Sequence, residues 1–149
     1  MKLTRTLICS MVVACLSAPA LAALGGDATS VAADRAHLKG TLRVTPTVDY
    51  TVHEIQTPAG IVVREYVSTS GKVFAVSWRG PGIPDLSQLL GSYSAQLTQA
   101  ANRPHYNHHR LNVESPEVML QSGGHLRSFF GRAWVPALLP QNFSVNDIN

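Results

Sequence analysis

TPAGIVVREYVSTSGKVFAVSWRGPGIPDLSQLLGSY, residues 57–93, reads as turn, strand, turn, strand, elbow and helix in one run. Pro58-Ala59-Gly60 turns the chain, residues 61–68 are rich in β-branched and aromatic side chains, and Thr69-Ser70-Gly71-Lys72 turns it back. Over residues 73–79, Phe74, Val76 and Trp78 share one strand face while Ala75, Ser77 and Arg79 share the other. Gly80-Pro81-Gly82-Ile83-Pro84 must end the sheet, because two prolines and two glycines cannot continue a hydrogen-bonded ladder. Asp85 then stands at a helix N-cap position with Gln88 three residues on, a variant of the capping box. Leu86, Leu89, Leu90, Tyr93 and Leu97 recur at helical spacing, so residues 85–101 are expected to form one amphipathic helix across the sheet. Gly91 in its middle costs about 1 kcal/mol relative to alanine, which a close approach to a strand or to Trp78 would explain.

Working outward, residues 50–56 add a strand before this run and complete a three-stranded antiparallel meander. Residues 41–49, with Pro46 inside them, read as a polar, poorly ordered linker. A short N-terminal helix runs from a cap at Asp27 or Thr29 to Lys39, and Gly40 stops it. Beyond the long helix lies a His-rich loop at 103–110. Short strands follow at 111–114 and 117–121, a turn at Ser122-Gly123-Gly124, and a long strand at 126–135 ended by Pro136 and Pro140. Residues 141–149 form a polar tail with Phe143, Val145 and Ile148 as anchors. The expected fold is α+β: an antiparallel sheet of five to six strands in two meanders, packed by one amphipathic helix, with the short N-terminal helix at the edge. Residues 23–49 are then leader, helix and linker, and 50–149 a single domain.

Residues 1–22 have the form of a secretory signal peptide. Lys2 and Arg5 precede an apolar run at 7–16, and Ala20-Leu21-Ala22 is a small-residue cleavage site. A periplasmic or secreted protein is expected, with no membrane span once the signal is cleaved, since the run is shorter than the ~20 residues a spanning helix needs. Val12-Val13-Ala14-Cys15 offers the alternative of a lipoprotein anchored at Cys15. Both cysteines, Cys9 and Cys15, lie in the removed segment, so a chain cleaved after Ala22 has no disulfide and no thiol chemistry. Removing Lys2 and Arg5 also lowers the net charge from +3 to +1, which takes away the electrostatic case for nucleic-acid binding.

At VREYV (63–67), GKVFAVSWRGP (71–81), PDLSQLLGSY (84–93) and SGGHLRSFFGRAWVPALLP (122–140), the chain resembles a family of small exported proteobacterial proteins classed as a domain of unknown function. The ALGG opening and the Ser30-Val31…Asp34 pattern are similar too. The resemblance implies a bacterial, exported setting and supplies no activity, cofactor or catalytic residue.

Three constellations bear on chemistry. His105, His108 and His109 could ligate a transition metal, but they follow Pro104 in a loop with no nearby carboxylate to orient them. Arg64-Glu65 sits inside a strand, so one of the two charges points at buried surface; Arg79 and Arg132 on neighbouring strands are expected partners for Glu65. Ser122-Gly123-Gly124-His125 lacks the glycine that a nucleophile elbow needs two residues before its serine, where this chain has Leu120. Phe129 and Phe130 are adjacent in a strand, so one of them must lie outside the helix-covered core. The sequence therefore points to a non-catalytic binding or accessory module of the cell envelope that needs no cofactor. It would contact an envelope protein or a small ligand through the uncovered sheet face, with Arg64, Glu65, Arg79, His125, Phe129 and Arg132 as contact residues. The alternatives are an envelope enzyme using Glu65 or His125 as acid/base, and a metal-binding protein using the loop at 105–109.

Overall fold

The computed structural model describes residues 24–102 and 110–149. Residues 1–22, expected to form a signal peptide, with Cys15 among them, and the histidines at 105, 108 and 109 lie outside the described residues.

Seven antiparallel strands form one sheet: β1 (Thr41–Pro46), β2 (Tyr50–Gln56), β3 (Val62–Ser68), β4 (Val73–Gly80), β5 (Arg110–Glu114), β6 (Met119–His125) and β7 (Ser128–Trp134). Their spatial order is β1-β2-β3-β4-β7-β6-β5, so two meanders meet where β4 pairs with β7. The α+β class and the two meanders match the sequence reading, but the count is seven strands, not five to six. The additional strand is β1, in the supposed linker. It is exposed along its whole length, and its one apolar pair, Leu42 and Val44, alternates with Thr41, Arg43 and Thr45 over too few residues to stand out beside Pro46. Pro46 is tolerated because it ends an edge strand, and the turn to β2 is closed by Thr47 N–H and Thr47 Oγ1 donating to Tyr50 O at 2.8 and 2.6 Å.

The helical segment is not continuous. Asp85 caps α2 (Leu86–Leu90) by accepting from Ser87 and Gln88 N–H groups. Gly91 then adopts φ 52°, ψ −123°, a 3-10 turn covers Gly91–Tyr93, and α3 (Ser94–Ala101) follows. Leu89, Leu90 and Ala100 pack against Val63, Val67, Val76, Trp78 and Leu120 of the sheet. The N-terminal helix α1 (Ser30–His37) is not an edge ornament: its buried Val31 joins the same core and its buried Asp34 meets Glu65 of β3.

The β6–β7 turn is also displaced from its expected position. Gly123 and Gly124 are strand residues, and the two-residue turn is Leu126-Arg127, both at positive φ (39° and 69°). Gly124, at φ 136°, is required by a close approach: a Cβ there would stand 2.3 Å from Ser128 O.

The second sheet face is partly covered by residues 136–149. Phe143 meets Phe74 edge-on at 4.8 Å and Tyr50 at 5.1 Å, and Ile148 is buried beside Tyr66 and Trp134. The tail anchors are thus those the sequence suggested.

Candidate functional site

Cross-strand partners in a sheet point to the same face. The register therefore builds one polar row across all seven strands on the face away from the helices: Arg43, Glu54, Arg64, Ser77, Arg132, Gln121 and Asn112. Arg64 Nε donates to Glu54 Oε2 at 2.8 Å, and Arg132 Nε donates to Gln121 Oε1 at 2.9 Å. The remaining donors of the row bind main chain. Arg64 Nη1 donates to Asn149 O and Oδ1 (2.6 and 2.9 Å), Ser77 Oγ to Asn149 O (2.9 Å), and Arg132 Nη1 to Val145 O (2.8 Å). Tyr66, in the next row, accepts from Asn149 N–H at 3.0 Å. The row thus straps residues 145–149 to the sheet.

Beside this strap the face is open around Phe130, which is 57% exposed. Three clefts share its ring. One of about 350 Å³ is bounded by Ser77, Arg79, Gln121 and Arg132; one of about 510 Å³ by Val62, Arg79, Pro81, Arg127 and Phe129; one of about 280 Å³ by Arg110, Gly124, His125 and Ser128. No aspartate or glutamate lines any of them. Among the described residues, which include every acidic side chain of the sequence, Arg79, Arg110, Arg127 and Arg132 have no ion pair. Register explains the grouping: Arg79 pairs with Phe130, Phe130 with Gly123, and Gly123 with Arg110, so Phe130 stands in one cross-strand row between two arginines, with no side chain on Gly123.

Of the residues singled out from sequence, Arg79, His125, Phe129 and Arg132 are brought together here. Arg64 lies on the same face but beyond the strap, where it also lines a separate polar cleft of about 420 Å³ with Arg43, Tyr50, Glu54 and Asp147. Phe130 is the exposed member of the aromatic pair, whereas Phe129 is half-buried. Arg110 and Arg127 were missed because each owes its place to pairing and turn geometry, not to a local motif.

Glu65 stands apart. It points to the helix face and is 2% exposed, and neither Arg79 nor Arg132 pairs with it. Its partner is another acid, Asp34, which is 1% exposed and accepts a 2.8 Å hydrogen bond from Gln88 Nε2. Burial, then the Asp34 charge and hydrogen bond, push the Glu65 carboxyl up to about 9; burial also raises Asp34. Glu65 Oε1 and Asp34 Oδ2 meet no N–H or hydroxyl donor, and a proton held between the two carboxyls satisfies both. His53, cross-strand from Glu65, is held toward its neutral form by burial. A carboxyl sealed this way locks α1 to the sheet and cannot reach a substrate. His125 is exposed, with no hydrogen-bond partner among the described residues to orient its ring for acid/base work. Among the described residues no group of three His, Cys, Asp or Glu side chains is arranged to hold a metal ion.

A family profile described as protein of unknown function (DUF2844) matches residues 20–148. The chain belongs to this family. No curated protein and no solved structure matches it. The family match spans the polar row, the strap up to Ile148 and the Phe130 clefts together, so this face lies within the family's domain.

Proposed function

We propose that this protein is a non-catalytic binding or accessory module of the bacterial cell envelope, exported by its first 22 residues. It contacts another envelope protein or a small ligand through the sheet face opposite the helices. The observation that carries this reading is the group of clefts around Phe130, where a half-exposed aromatic ring is surrounded by arginines and by no acid. Aromatic and arginine side chains are enriched at the centres of protein interfaces and carboxylates are depleted there. Arg132 is already bonded to Gln121 and Val145, but the exposed guanidinium groups of Arg79, Arg110 and Arg127 gain charge-assisted hydrogen bonds when an acceptor arrives from outside. Burial of Glu65 and the unsupported ring of His125 speak against acid/base catalysis. The signal sequence supports export.

Crosslinking in the native envelope followed by co-purification tests the proposal, with an Arg79→Ala, Phe130→Ala double variant as comparison. Both residues are exposed, so the variant folds. A partner or ligand should be captured by the parent and its recovery should fall at least ten-fold in the variant. Equal recovery from both, or no capture by the parent, would overturn the assignment.

A further inference from the structure

The antiparallel register sorts charge along the strand axis. Arg79, Arg110 and Arg127 lie at one end of the sheet, where β4 finishes, β5 begins and the β6–β7 turn sits. Lys39 precedes β1 at the same end. Asp85, which follows β4 through the elbow, is engaged: it caps α2 and bonds His37 at 3.1 Å. The opposite end carries Asp49 in the β1–β2 turn, Glu114 and Glu117 around the β5–β6 turn, and Asp27, which pairs with Lys72. The molecule is therefore polarised, with one basic end and one acidic end.

Three further observations fall on the basic end. Leu126 projects there with 93% of its surface exposed, and Ile83, in the elbow after β4, is half-exposed. All the non-glycine residues of the described chain at positive φ, Lys39, Leu126 and Arg127, belong to it. A two-residue hairpin turn of this geometry is normally built from Asn-Gly, and strain held in bulky residues is a signature of function. The strain serves to hold a leucine and an arginine at the tip. Leu126 lines none of the clefts around Phe130, although its neighbour Arg127 lines one.

We propose that this end of the sheet docks on an anionic lipid surface, with Leu126 as an apolar wedge and Arg127, Arg110 and Lys39 as the headgroup contacts around it. A protruding leucine within a ring of cations fits a partner that yields to it and offers many negative groups in one plane, which is what the interface of an anionic leaflet presents. The acidic end points away, so the charge asymmetry orients the whole molecule. No helix of the described residues is long and apolar enough to cross a membrane, and the contact is peripheral. Arg110 and Arg127 also border two of the Phe130 clefts, whereas Leu126 and Lys39 border none, so Leu126 is the residue that separates this contact from the one proposed above, and the Arg79→Ala, Phe130→Ala comparison leaves it unchanged.

Co-sedimentation of the exported chain with phosphatidylglycerol/phosphatidylcholine vesicles, against phosphatidylcholine alone, tests it. Every variant keeps the same N-terminus, so any effect of residues 1–22 cancels. The parent should sediment with the anionic vesicles alone and release with rising salt. Arg127→Gln should weaken binding roughly five-fold, and Leu126→Ser roughly ten-fold. A Leu126→Asn, Arg127→Gly double variant, which installs the favoured turn and folds at least as well, should lose both contributions together. Absence of binding to anionic vesicles, equal binding to neutral ones, or retention by Leu126→Ser would overturn the proposal. So would equal binding of inorganic polyphosphate by parent and Leu126→Ser in competition with the vesicles, which would assign the charge to a soluble polyanion. Loss of vesicle binding with partner capture intact would remove the lipid contact and leave the Phe130 face standing.

Discussion

A carboxyl group sealed between α1 and β3 stays buried at low cost only while it keeps its proton. Glu65 holds that proton to about 9, whereas in the unfolded chain it gives it up near 4.5. Its contribution to stability is therefore complete below the lower value and is lost as pH rises toward the upper one. Asp34, also raised, acts in the same direction. His53, lowered by burial, acts with the opposite sign and only in acid, and His37 and Asp85 lie on the exposed side of α1 and α2. The melting temperature of the parent should accordingly fall between pH 6 and 9. Glu65→Gln, which keeps the shape and offers Asp34 an amide donor, should flatten that slope and add on the order of 2 kcal/mol at pH 8. A parent melting temperature that rises over this range would remove the shared proton from the account. The same pair shows the limit of reading charge from one strand. Period two correctly predicted that Arg64 and Glu65 face opposite ways, but the partner of Glu65 came from a helix 31 residues upstream in sequence, where Asp34 reads as an ordinary polar position.

At the scale of elements, Gly91 reverses its expected effect. In an unbroken helix, Gly91→Ala would stabilise by about 1 kcal/mol. At φ 52°, ψ −123°, in a region open only to glycine, the same change should destabilise by about 1–3 kcal/mol, measurable by urea denaturation. A gain in stability would mean that α2 and α3 form one helix. Elements with a buried face were legible: β2, β3 and β4 were placed to within a residue, because their side chains are β-branched and aromatic and the elbow at Gly80 admits no other reading. The face of Phe74 was not: a bulge opposite Tyr66 and Val67 turns it away from Val76 and Trp78 and onto the tail-covered side beside Tyr66 and Phe143. β1 was missed because neither of its faces is buried, and its short Leu42/Val44 alternation is outweighed by the threonines and Pro46 around it. The β6–β7 turn was misplaced because Gly123-Gly124 carries the usual turn chemistry while Leu126-Arg127, which makes the turn, carries none.

For the molecule as a whole, the candidate surface follows from a register that joins two meanders at β4 and β7. Arg79 and Arg132 lie more than fifty positions apart in the sequence, yet that pairing sets them around one cleft beside Phe130. Individual arginines and aromatics could be singled out from their chemistry, since such side chains in strands must point somewhere. Their assembly into one surface could not, because it depends on which strands become neighbours. The tail also takes on its role at this scale: residues 145–149 occupy the centre of the polar row and leave the Phe130 side as the open part of the face. A photo-crosslinking amino acid placed at position 130, compared with one at Gln99 on the exposed side of α3, tests the central claim most directly. Irradiation of cells producing each variant should give a discrete crosslinked species from position 130 and none from position 99. Discrete products from position 99 with none from position 130 would place the contact on the helical side and contradict the account.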